Sequence, residues 1–137
     1  MQAFATASAG FLLAVLWFDL MHDVLARGDV SDDDLGTIQR YYRRVTTDAF
    51  PMNRLVLVAM VCLLASIVAE LAGDSVPAWA PIASLVLALP PIVLSRKVVR
   101  MAKALSTRAE AKTILRDHVF CFVCIGAVLA VQLASLA

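Results

Sequence analysis

The chain has 137 residues, 61% of them hydrophobic, and a mean hydropathy of +0.83. A single water-soluble domain of this size rarely carries so apolar a composition, so the chain reads as a membrane protein. Its formal net charge of +1 excludes the strongly basic surface that steers a protein to nucleic acid.

Four apolar stretches can be marked, about 3–22, 52–72, 76–96 and 117–137. Each approaches the ~20 residues that cross ~30 Å of hydrocarbon at ~1.5 Å per residue. They are too long and too continuous for the short alternating strands of a membrane barrel. The expected fold is all-α: one domain over 1–137, an antiparallel integral membrane four-helix bundle whose first partner is the lipid bilayer. A cytoplasmic interfacial helix is expected between the first two spans, and a cytoplasmic extension on the third and fourth.

All twelve Lys and Arg residues fall between Arg27 and Arg54 or between Arg96 and Arg116. The positive-inside rule then makes both of these connections cytoplasmic. The N-terminus, the short connection "AGDSVPAW" and the C-terminus are expected to face outward, in a multi-pass protein of the cell (inner) membrane. The opening "MQAFATASAG" lacks the basic n-region of a cleavable signal, so the mature chain is expected to begin at or near Met1.

In the first span, "FLLAVLWFDLMHDVLARG" sets Asp19, His22 and Asp23 within an arc of about 100°, on the face that also carries Ser8. Ala3, Ala7, Gly10 and Ala14 form a small-residue stripe on the opposite side. Such a stripe lets helices approach closely, within the bundle, between copies of the chain or against a partner membrane protein.

The first connection, "SDDDLGTIQRYYRRVTTDAFPMNR", reads as a helix over about 32–48. Ser31 is its N-cap, and Asp32, Asp33 and Asp34 occupy the first turn, where the positive end of the helix dipole favours them. Leu35, Ile38, Tyr42 and Val45 share one face and Arg40, Arg43 and Arg44 line the flank. This predicts an interfacial anchor, apolar side down on the membrane, ended by the restriction that Pro51 places on Phe50.

Pro90 and Pro91 are expected to kink the third span. The helix should then run on through "SRKVVRMAK" and restart at Thr107, whose partner Glu110 completes a T-x-x-E capping box. In the fourth span Asp117, Cys121, Cys124, Gln132 and Ser135 lie within an arc of about 80°, the natural face to turn inward.

Counting along the helices puts Asp19 about 24 Å, His22 about 28 Å and His118 about 28 Å from the outer surface. The two histidines of the chain share a depth, and Asp48, Arg54 and Asp117 lie at a similar level. An ionisable group inside a membrane is by default a functional-site hypothesis. The candidate ligand-binding residues are therefore Asp19, His22, Asp23, Asp48, Arg54, Asp117 and His118, forming a polar pocket that opens to the cytoplasm and takes a small ligand, a metal or a proton. Imidazole and carboxylate suit zinc or iron, with His22, His118 and Asp19 as the candidate metal ligands, and haem between the two histidines is geometrically conceivable. The competing reading is a binding or assembly subunit whose charges snorkel, pair with Arg43, Arg44, Arg54 or Arg116, and only set helix register. The cofactor, if any, is not specified by these residues.

"CFVC" in the fourth span resembles the redox pair of the vitamin K epoxide reductase family, a likeness that covers Cys121 and Cys124 alone and makes them redox candidates. The prolyl start "TTDAFPMNR" and the polar start "ILRDH" resemble small four-span bacterial membrane proteins, loosely similar to the anthrone-oxygenase-like group. That resemblance implies a cofactor-poor pocket for a small hydrophobic substrate.

The segregation of basic residues has a direct check. In a chain whose native cysteines are replaced by alanine, a cysteine at Gly36 is shielded from an impermeant thiol reagent in intact cells, and one at Ser75 is labelled. The reverse pattern puts the basic connections outside.

Overall fold

A computed structural model describes residues 1–48, 50–73 and 76–135, with 50–53 described by their backbone. The expected far end of the fourth span at 136–137, and Ser75 in the short connection, lie outside the described residues. The described chain is helical, with no strand. Its α-helices are α1 (Gln2–Asp23), α2 (Asp32–Arg43), α3 (Phe50–Ala72), α4 (Trp79–Lys103) and α5 (Arg108–Ala134). All but α2 are long and apolar enough to cross a membrane.

Local chemistry accounts for the helix boundaries. α1 tightens into a 3-10 turn over Val24–Ala26, and the chain reverses at Gly28, whose φ of +77° is open to glycine at no steric cost. Ser31 then caps α2: its hydroxyl accepts from the Asp34 N–H, and the Asp34 carboxylate accepts from the Ser31 N–H. The Ser31 hydroxyl and N–H hold the Asp34 carboxyl below the usual carboxylate range. Thr107 and Glu110 repeat this reciprocal capping box at the start of α5. α4 continues through Pro90 and Pro91 without a break in the helix.

α1 packs on α5 and α3, and α4 packs on α5. Gln2, at the start of α1, reaches Gln132 and Ser135 at the end of α5, while Asp23 at the other end of α1 meets His118 near the start of α5. These two helices therefore run in opposite directions. Most of the span surface away from these contacts is exposed and apolar, including Phe4, Trp17, Leu57, Val86, Val93 and Val123.

The buried apolar residues form two clusters. One gathers Ala5, Ala9, Leu12, Leu63, Ile67, Ala88, Ile125 and Val128 between the spans. The other, at the end where the basic residues lie, joins Ala26, Val30, Ile38 and Tyr42 to Val98, Ala102, Leu105, Ala111 and Ile114. α2 thus turns its apolar face onto the extensions of α4 and α5. Ile38 and Tyr42 of the face expected to lie on the membrane are buried in this cluster, and Leu35 and Val45 pack against it half-buried. Fully burying a side chain such as Ile38 stabilises that contact by ~1.5–3 kcal/mol where the alternative is water. The helix gives way to a π-turn over Arg44–Asp48, in which the Thr46 hydroxyl donates to the Tyr42 carbonyl.

The small residues of α1 divide differently from the sequence pattern. Ala5 and Ala9 are fully buried and make the close approach within the bundle, whereas Ala3, Ala7 and Ala14 are exposed. A Cβ built on Gly10 meets nothing within 4 Å. The Ala7, Gly10, Ala14 stripe therefore faces away from the described chain. Ala9→Leu should destabilise the fold by ~1–3 kcal/mol through overpacking. Gly10→Leu should leave thermal melting of the single chain unchanged and alter size-exclusion behaviour only if copies meet through that stripe.

Candidate functional site

Asp19, His22 and Asp23 stand at i, i+3 and i+4 in the last turns of α1, so all three share one face. Two consecutive tyrosines of α2 meet them. Adjacent helical residues project about 100° apart, so Tyr42 turns into the protein while Tyr41 lies over α1. The Tyr42 hydroxyl donates to Asp23 Oδ1 at 2.6 Å, and the Tyr41 hydroxyl donates to Asp19 Oδ1 at 2.7 Å.

The third member comes from α5. His118 Nδ1–H donates to Asp23 Oδ2 at 2.6 Å, and the Tyr42 oxygen lies 3.2 Å from the same nitrogen. Asp23, Tyr42 and His118 are 1%, 3% and 6% exposed, so this triangle is sealed from the surface. Each Asp23 oxygen has one donor from a different helix. Charge-assisted bonds of this length are among the stronger hydrogen bonds in proteins.

The other predicted residues occupy different places. The His22 ring stacks on Tyr41, with centroids 3.7 Å apart and planes 8° from parallel, and its Nδ1–H donates to the Phe18 carbonyl at 3.0 Å. His22 therefore borders the triangle through Tyr41. Asp117, next to His118 in sequence, points to a separate ion pair with Lys97 at 2.7 Å and Arg116 at 3.0 Å. Asp48, in the π-turn, and Arg54, at the foot of α3, are exposed, unlike the three residues of the triangle. Cys121 and Cys124 are buried free thiols on the inward face of α5.

The geometry bears on metal and ligand chemistry. Among the described residues, no three His, Cys, Asp or Glu side chains converge as a metal ion would require. Imidazole nitrogens of His22 and His118 are engaged with different partners on different helices. Two cavities open at this end. One of about 200 Å³ is lined by Gln39, Arg43, Thr46, Thr47 and Lys103, and one of about 380 Å³ is lined mainly by Trp17, Leu20, Met21 and Val119. None of the predicted site residues lines either one. These two cavities and the ionisable network are thus separate features.

Sequence reasoning missed both tyrosines as site residues, because Tyr42 fits an apolar stripe and its hydroxyl partner lies on another helix. It also passed over Glu70, the one acid inside the second apolar run, which lies at the opposite end of the bundle and is buried. A lone acid in such a run is itself a signal.

Comparison with family models, with curated proteins and with solved structures finds no match for this chain. The reading of the site therefore stands on its residues and their geometry.

Burial, and after it the charges of Asp23 and Asp19, push the Tyr42 phenol far above its ordinary range; burial and the Asp19 charge do the same to Tyr41. The folded state thus holds these protons more tightly than the unfolded chain does. The resulting stabilisation is complete below about pH 10 and declines as pH rises beyond it. Because the chain has two tyrosines, both in this network, the prediction is read directly. In an alkaline titration, tyrosinate absorbance should develop together with loss of the helical signal. Tyrosinate appearing in the folded protein would show that the phenols are open to solvent.

Proposed function

We propose that the chain is an antiparallel four-span protein of the inner membrane, both termini outward, whose cytoplasmic end holds a buried acid–base centre that binds and exchanges a proton. The observation that carries this reading is the Asp23 carboxylate, bonded at 2.6 Å to His118 on one oxygen and at 2.6 Å to Tyr42 on the other. Imidazole is the side chain that takes up and returns a proton near neutral pH. With Nδ1–H held by a carboxylate, its tautomer is set and Nε2 becomes the atom that accepts the proton. The positive charge then arises beside Asp23, which needs no rearrangement to meet it. Such a centre needs no ligand-sized cavity, in keeping with the separation of the two cavities from the network. In this reading α2 lies along the cytoplasmic membrane surface and closes the centre from above. The outward Ala7, Gly10, Ala14 stripe is the surface available to a second copy or a partner membrane protein.

A second reading is favoured by one observation: both Asp23 oxygens are partnered, and the bonds tie α2 and α5 to α1. In that case the triangle is a clamp that sets helix register. The two readings separate in one experiment. The chain has two histidines, so protein labelled with ¹⁵N-histidine gives two ring systems, assigned with His22→Ala. Reversible protonation of His118 at Nε2 while the chain stays folded, with a midpoint displaced in Asp23→Asn, is the expected result. A His118 ring that keeps one protonation state throughout the folded pH range leaves the clamp. A double-mutant cycle on Asp23→Asn and Tyr42→Phe should give a coupling energy of ~0.5–3 kcal/mol in either case.

A further inference from the structure

The end of the bundle remote from the basic residues holds a second buried polar group. Glu70 of α3, Ser84 of α4 and Gln132 of α5 are 2%, 0% and 0% exposed. The Gln132 amide nitrogen donates to Glu70 Oε2 at 3.1 Å and to Ser84 Oγ at 3.0 Å, which uses both of its hydrogens. Two oxygens are then left over. Glu70 Oε1 and Gln132 Oε1 are both buried and, among the described residues, neither has a hydrogen-bond partner.

Both leftover atoms are acceptors, so the deficit is one of donors. The Thr6 hydroxyl of α1 is also buried and is bonded to neither of them. The backbone carbonyl of Gln132 is already occupied by the Gln2 side chain. Counter-charge is equally lacking. No Lys, Arg or His occurs in residues 1–21, 55–95 or 119–137, so α1, α4 and α5 bring no cationic side chain to this end. The Met1 amine is the one cationic group there, on a residue that is exposed. A buried carboxylate with neither counter-charge nor a full set of donors is among the costliest groups a protein can hold.

A single hydrogen removes both deficits. We infer that Glu70 is held as the carboxylic acid, a bound and exchangeable proton joining α3 to α5 through Gln132. A carboxylic acid and a primary amide pair through two hydrogen bonds, acid O–H to amide oxygen and amide N–H to acid oxygen. The second of these is the 3.1 Å bond already described. The first would satisfy Glu70 Oε1 and Gln132 Oε1 together. This proton site is independent of the His118 centre: Gln132 lies fourteen residues along α5 from His118, about 21 Å. The apolar cluster that includes Ile125 and Val128 stands between them.

The composition of the chain makes the test direct. It has two glutamates, Glu70 and Glu110, and Glu110 is the half-buried capping-box partner of Thr107 at the start of α5. Full-length protein in detergent, labelled with glutamate carrying ¹³C at the side-chain carboxyl, should show two glutamate signals at neutral pH. One is expected to be a carboxylate, lost in Glu110→Gln. The other is expected to be a carboxylic acid by chemical shift and by its infrared carbonyl band, and lost in Glu70→Gln. Because glutamine reproduces the shape and donor of the neutral acid, Glu70→Gln should melt as the parent does, whereas Glu70→Ala should melt lower. Should Glu70→Gln fail to fold, the Glu110→Gln spectrum alone still assigns the remaining signal. A carboxylate at Glu70 at neutral pH overturns the inference. A melting temperature that then rises with added sodium, and not with an equal ionic strength of a large organic cation, would put a metal cation in the proton's place.

Discussion

The carboxyl group of Asp23 sits where water cannot reach it, and much of the rest of the basic end follows from that. A buried carboxylate is tolerated when donors meet both oxygens, and removing one partner of such a pair typically costs several kcal/mol. α1 cannot supply those donors itself, since its own N–H groups are spent in the helix. One must come from α2 and one from α5. Tyr42 can reach Asp23 only if α2 lies back across the end of α1. That course is permitted by the reversal at Gly28 and made favourable by the apolar face of Ile38 settling on Val98, Ala102 and Ile114. The polar bond and the apolar contact select the same placement of α2.

The two polar layers differ in the charge available to them. At the basic end, Lys97 and Arg116 compensate Asp117, and the donors of Tyr42 and His118 satisfy Asp23. At the other end there is no cationic side chain, and Glu70 is met by the amide of Gln132, which also donates to the Ser84 hydroxyl. Between the layers α5 carries Cys121 and Cys124, both buried, and then Ile125 and Val128 of the apolar cluster. Thiols are weak hydrogen-bond formers and aliphatic groups are none, so this stretch of α5 offers no hydrogen-bonded chain from one layer to the other. The two layers are therefore separate polar features of the bundle, joined through the α5 backbone and not through a chain of side-chain hydrogen bonds along this stretch.

Much of the helical framework was legible in the sequence, because the signals for it are local. Long apolar runs mark the spans, and Ser31 and Thr107 with their acidic partners mark helix starts whose capping boxes need only four consecutive residues. The inward face of α5 was legible for the same reason: helical period alone puts Asp117, Cys121, Cys124 and Gln132 on one side, and all four are buried. The composition of the site was less legible. Asp117 and His118 are adjacent in sequence and agree in depth, but neighbouring helical positions look in different directions, one to α4 and the other to α1. Depth along an axis says nothing about azimuth. Tyr41 and Tyr42 were hidden for a related reason, since a tyrosine reads as apolar by its ring and as polar only once its hydroxyl has a partner. The stripe of Ala7, Gly10 and Ala14 shows the converse: small residues permit a close approach, and whether one occurs depends on what the neighbouring helix brings.

α5 is the member that both layers share. Through His118 it is bonded to α1, through Asp117 to Lys97 of α4, and through Gln132 to α3 and α4; the Gln132 carbonyl also receives Gln2 of α1. In lipid there is little hydrophobic force to hold helices in register, since the surroundings are as apolar as the side chains. Register must come from packing shape and from directional bonds. Sliding α5 by one turn, about 5.4 Å, would break the bonds of both layers at once, although Ile125 and Val128 would find equally apolar neighbours. The apolar middle of the bundle is therefore permissive about register. The two polar ends are what make it single-valued, and they do so through buried groups that also carry exchangeable hydrogens. In this fold the residues that specify the structure and those with chemistry to offer are the same residues.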